Sequence, residues 1–171
     1  MTGFLPLSLR FRPAGTAPSG RWNMESEFYS FVAAVFAVPA DSLSAATAYG
    51  ELPQWDSVMH LRLVLETEAR YSVKFGMEEI PRIKTLGGLF RLVRFKAFLR
   101  SMAECLEIDE ADAGTVFREA QGWCSLMAFS MLLALERKFG AEISMSAFSE
   151  CSTLGEVAAR AGIAADCGGA G

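Results

Sequence analysis

Trp55 to Phe75 read WDSVMHLRLVLETEARYSVKF, and 68 residues later Trp123 to Ile143 read WCSLMAFSMLLALERKFGAEI. Each stretch opens with Trp, one variable residue and Ser. Each runs on through helix-compatible residues to an aromatic, Tyr71 or Phe139. Other landmarks keep the same register: Leu65 with Leu133, Glu68 with Glu136, Met77 with Met145, and Thr85-Leu86-Gly87 with Thr153-Leu154-Gly155. So many landmarks in one register argue for two copies of one unit. The period is too long for a solenoid repeat, so the expectation is two duplicated domains.

Both copies read as helical. Phe28, Phe31, Val32, Val35 and Phe36 fall at helical spacing and predict an opening helix. The run from Pro39 to Pro53, with Gly50, breaks it into a long loop. Ser57 then opens a second helix, with Val58, Leu61, Val64, Leu65 and Tyr71 as its apolar positions. A turn near Glu78–Ile80 is expected as a short third helix, and Thr85 as the cap of a fourth. In the second copy Phe95, Phe98, Leu99, Met102 and Leu106 form the first helix. Ser125 to Phe139 form the next, with Leu126, Phe129, Leu132, Leu133 and Leu135. A short piece near Ala147-Phe148 precedes a last helix with Leu154, Val157 and Ala158. These stripes are read as core.

No Gly/Pro/Ser linker separates the copies. Leu89 to Leu106 read LFRLVRFKAFLRSMAECL, helix-compatible throughout, so the expectation is a close, rigid tandem with a short or helical junction. Arg91, Arg94, Lys96 and Arg100 on that junction are read as a solvated basic face. The fold class is therefore all-α: two tandem four-helix bundles, at 24–92 and 93–163. A disordered extension is expected at 1–23 and a flexible tail at 164–171.

Composition narrows the function. The chain has 171 residues, half of them apolar, and a net charge of −4. By segment the charge is +3 for 1–23, −4 for 24–90 and −3 for 91–171. Neither body is basic enough for nucleic acid. The one histidine, His60, excludes His-rich metal sites and is read as a helix-surface residue. Cys105, Cys124, Cys151 and Cys167 form no C-x-x-C pair, which fits a reducing cytoplasm. The N-terminal apolar run is too short for a signal peptide, and Met24 offers an alternative start. The longest uncharged apolar run, Cys124 to Leu135, is too short to span a bilayer.

A serine that opens a helix meets unpaired N–H groups and the positive end of the dipole, and both favour a phosphate. Read alone, Ser57 is equally an ordinary cap. In context, Trp55 to Phe75 with Thr85 to Leu89 (TLGGL), and Trp123 to Ile143 with Thr153 to Val157 (TLGEV), resemble the acyl carrier proteins. These are small four-helix domains that bear phosphopantetheine. The resemblance spans residues 24–163 in two copies.

It implies that a phosphopantetheinyl transferase places 4'-phosphopantetheine from coenzyme A on the Ser57 hydroxyl. Asp56 would help position that enzyme's Mg²⁺, in keeping with the ion's preference for hard oxygen ligands. Acyl or aminoacyl groups then ride on the arm as thioesters at high effective concentration. The carrier itself is no enzyme. Its partners would be acyl- or aminoacyl-loading and -transferring enzymes docking on the helices after Ser57 and Ser125.

The chain departs from the carriers of bacterial fatty-acid synthesis, whose second helix is strongly acidic. Here His60, Arg62 and Arg70 stand beside Glu66 and Glu68, and Arg137 and Lys138 follow in the second copy. A mixed face points to a specialised lipid, polyketide or peptide-like pathway. Thr67 stands where the second copy has Leu135.

In the second copy Cys124 replaces Asp56, and a thiol is a poor ligand for Mg²⁺. Loading at Ser125 is expected to be slow or absent, leaving a degenerate domain; the rival expectation is a second arm. Cys124 as a nucleophile lacks a visible His or acid partner. The alternative for the whole chain is a carrier-like interaction module that docks enzymes without an arm.

Overall fold

The computed structural model describes residues 24–163. The expectations for 1–23 and 164–171 lie outside the described residues. Among those described there are six α-helices: α1 (Met24–Phe36), α2 (Ser57–Tyr71), α3 (Leu86–Leu106), α4 (Ser125–Phe139), α5 (Met145–Glu150) and α6 (Leu154–Arg160). Single 3₁₀ turns occur at Ala40–Ser42, Ile80–Arg82 and Phe117–Glu119. No strand forms among the described residues beyond an isolated antiparallel bridge between Ala48 and Thr85. No helix among them is long and apolar enough to cross a membrane.

The helices start where capping chemistry dictates. Asp56 and Thr85 accept the N–H groups of Met59 and Gly88. Thr153 and Glu156 form a reciprocal capping box at α6. The expected third helix of the first half shrinks to the 3₁₀ turn Ile80–Arg82, where Pro81 supplies no N–H to carry a ladder further. Its counterpart in the second half is the true helix α5.

Buried apolar side chains gather in two clusters. One includes Phe28, Val32, Trp55, Leu63, Leu89 and Val93. The other includes Phe98, Met102, Phe117, Met131, Leu135 and Leu154. Thr67 and Leu135 are both fully buried. Thr67 satisfies its hydroxyl by donating to Leu63 O at 2.6 Å, so the polar substitution costs no orphaned group.

The loop preceding each serine is pinned in the same way. Ala45 O and Thr47 O accept the N–H groups of Gly87 and Leu86, while Ala113 O and Thr115 O accept those of Gly155 and Leu154.

α3 runs 21 residues without a break and contributes Leu86 to Val93 to one cluster and Phe98 to Leu106 to the other. Its basic strip is solvated at Arg91 and Arg100, as its sequence suggests, but three of its members also make specific ties. Arg94 donates to Phe139 O at the end of α4 and to Gly162 O beyond α6, each at 3.0 Å. Arg100 reaches back to Tyr71 O and Ser72 O at the end of α2. Lys96 pairs with Glu79 at 2.8 Å. Helix ends leave carbonyls unpaired and carry a negative dipole end, so guanidinium groups are held there.

Candidate functional site

Ser57 and Ser125 are each the first residue of a 15-residue helix, and both are exposed. Around Ser57 the backbone is held on three sides. Asp56 Oδ1 accepts Met59 N–H at 2.8 Å, and Asp56 O accepts His60 N–H. Trp55, only 2% exposed, donates its indole N–H to His60 Nδ1 at 3.1 Å. His60 Nε2 lies 3.1 Å from Ile80 O. An indole nitrogen only donates, so Nδ1 accepts, and Nε2 carries the proton toward the carbonyl. His60 is thus a half-buried strut between α2 and the Ile80–Arg82 turn rather than the surface residue expected. With both ring nitrogens occupied, it is not free to serve as a general base for a serine.

The start of α4 is less braced. Cys124 is exposed and makes no side-chain cap bond. Trp123 is only half-buried, and Ala128 stands at the position 68 residues after His60.

Each serine opens on a cavity. Beside Ser57 it measures about 370 Å³ and is walled by Tyr49, His60, Leu61, Ile80, Pro81 and Lys84. Beside Ser125 it measures about 460 Å³ and is walled by Arg118, Trp123, Cys124, Met145 and Phe148. An exposed hydroxyl at the mouth of such a space suits a covalent arm, since an attached group has room to lie beside it. No carboxylate or histidine lines the Ser125 cavity beside Cys124, so it offers no base for a nucleophile. No cluster of metal-binding side chains occurs among the described residues.

The helices behind the serines present apolar side chains outward. Val58 is 74% exposed and Leu126 71%, and Leu61, Leu65 and Phe129 are exposed as well. The core stripe expected from spacing holds for Val64 but not for Val58, Leu61 and Leu65: the buried face of α2 is Leu63, Val64 and Thr67.

Residues 96–161 match the family described as the phosphopantetheine attachment site. The domains of that family are carriers rather than catalysts, and their cofactor is covalently attached 4'-phosphopantetheine. Such domains work with a phosphopantetheinyl transferase and with partner enzymes. The match takes in Cys124 and Ser125 and leaves out Asp56 and Ser57. No curated protein and no solved structure matches the chain.

Sequence reading located both serines but missed the bond from Trp55 to His60 and the cations Lys84 and Arg118 on the cavity walls. A tryptophan five residues before a histidine at a helix start was the available signal for the first. Nothing local in the sequence marked the other two.

Proposed function

We propose that the chain is an acyl carrier protein holding acyl or aminoacyl intermediates as thioesters on a 4'-phosphopantetheine arm borne by Ser57, in a specialised lipid, polyketide or peptide-like pathway of the cytoplasm. The observation that carries this is a serine with a free, exposed hydroxyl at the first position of a long helix, open to a cavity and followed by an outward apolar stripe. Asp56 keeps one carboxylate oxygen on Met59 N–H. The other is left for the Mg²⁺ that a transferase brings.

Ser125 repeats the serine, the cavity and the stripe within the segment that matches the family. Two features support a duplicated unit: α2 and α4 have equal length and lie 68 residues apart, and the Ala45–Gly87 and Ala113–Gly155 bonds keep the same spacing. Without the acid, Ser125 is expected to load slowly, and the second unit to serve mainly in docking. The exposed stripes Val58, Leu61, Leu65 and Leu126, Phe129 are the surfaces offered to loading and transferring enzymes.

Loading forms a serine Oγ–phosphorus bond and breaks the pyrophosphate bond of coenzyme A. The products are adenosine 3',5'-bisphosphate and the hydroxyl proton. The test is the intact mass after incubation with coenzyme A, Mg²⁺ and a broad-specificity transferase, followed by peptide mapping. One arm on Ser57 is the expected result, and two arms would show that Cys124 is tolerated. No arm would leave the interaction-module reading, favoured by the missing acid at position 124.

A further inference from the structure

The two serine cavities share one feature that no motif predicts. Among the residues lining the first, Lys84 is the one carrying a full charge, since the hydrogen bonds of His60 describe a neutral ring. Among those lining the second, Arg118 is the one charged side chain. Neither cation makes a salt bridge to a carboxylate among the described residues.

The two do not correspond in sequence. The position 68 residues after Lys84 is Ser152, and the position 68 before Arg118 is Gly50. One cation enters from the strand of chain just before α3, the other from the loop before α4. A cationic residue therefore lines the cavity of each serine although its place in the chain has changed.

The backbone of Lys84 and the side chain of Arg118 are held in place. Lys84 O accepts Tyr49 N–H at 2.8 Å, fixing the lysine's backbone to the opposite wall of the cavity. Arg118 donates through Nη2 to Ser149 O at 2.7 Å and lies over the Phe117 ring. Its remaining guanidinium donors have no hydrogen-bond partner among the described residues to compete with an anion.

We propose that Lys84 and Arg118 are the positioning counter-ions for a phosphodiester on Ser57 and on Ser125 respectively. The inference rests on the carrier reading. A phosphodiester carries one negative charge, and a cation beside it on a partly apolar wall attracts it more strongly than in open water. At Ser57 the neighbouring Asp56 adds a second negative charge. At Ser125 no acid adjoins, and arginine offers paired donors to two phosphate oxygens.

The experiment is phosphorus NMR on the arm-loaded full-length chain, with Ser57→Ala and Ser125→Ala used to isolate each site and prolonged incubation with excess transferase used to drive the slow loading of Ser125. The expected result is a phosphorus resonance displaced from that of the same protein unfolded in urea. Lys84→Met should collapse the displacement at Ser57, and Arg118→Met that at Ser125. Lys84→Arg and Arg118→Lys should retain it. Arg118 also ties down Ser149, so the lysine variant separates charge from bracing, and a melting curve of each variant checks that it is folded. A resonance unmoved in a folded methionine variant overturns the proposal for that serine while leaving the carrier reading intact. A serine that never takes the arm removes its cation from the proposal, and no arm on either serine defeats both readings.

Discussion

At position 87 an added Cβ would lie 2.7 Å from Ala45 O, and at position 155 it would lie 2.9 Å from Ala113 O. Those carbonyls accept the glycines' own N–H groups at 3.0 and 2.8 Å, so the backbones meet where no side chain fits. Gly87→Ala and Gly155→Ala should each destabilise the protein by about 1–3 kcal/mol. The reading is a lower urea midpoint at unchanged slope; an unmoved midpoint would contradict the close approach. Glu68 supplies a second test. Its carboxylate accepts Phe75 N–H at 2.8 Å and pairs with Lys74 at 3.2 Å. The Phe75 bond holds its pKa below the ordinary value, with Lys74 assisting against desolvation. A depressed folded-state pKa adds stability above the unfolded value of about 4.3, and that stability is lost as pH falls through the folded value. Glu68→Gln should therefore lower the urea midpoint at neutral pH, and the gap from wild type should close in acid. A gap independent of pH would show that the charge is not what matters.

Among the elements, α2 shows what can and cannot be read from spacing. Its start at Ser57 and the bounds of α4 were legible, because a serine opens each apolar run; left-handed residues, Ser72 and Gly140, end the two helices. Its orientation was not. Val58, Leu61 and Leu65 recur at helical intervals as a core face does, yet they face water while Leu63 and Val64 are buried. An apolar stripe kept for a partner obeys the same periodicity as one kept for the core. The cavity cations escaped notice for a different reason: Lys84 is brought to Ser57 only by the fold. The two faces of α2 should respond unequally. Leu61→Asn is expected to change stability by no more than about 0.5 kcal/mol. Leu63→Ala should cost about 2–5 kcal/mol. Thermal melts of the two variants decide, and equal losses would mean that Leu61 belongs to the core after all.

The whole molecule turns on α3 and the two arginines that cross it. Arg100, in the half of the helix that feeds the second cluster, holds the end of α2. Arg94, followed by the second cluster's residues, holds the ends of α4 and α6. A continuous helix with ties at both ends leaves little room for either cluster to open alone. Trp55 lies in the first cluster and Trp123 packs against the second. With Trp22 and either Trp123 or Trp55 replaced by Phe, single-tryptophan chains therefore report each half separately. In otherwise wild-type protein the two fluorescence transitions in urea should coincide, as one cooperative unit requires. Arg94→Ala removes hydrogen bonds from a charged donor and should cost about 1–2 kcal/mol; Arg100→Ala, at a more exposed tie, should cost less. In the double variant the Trp55 and Trp123 transitions should move apart, because each cluster keeps its own core but loses its hold on the other. Coincident transitions in the double variant would assign the coupling to the unbroken backbone of α3 alone. Ala97→Pro, which interrupts the helix between the clusters, would then be the change that separates them.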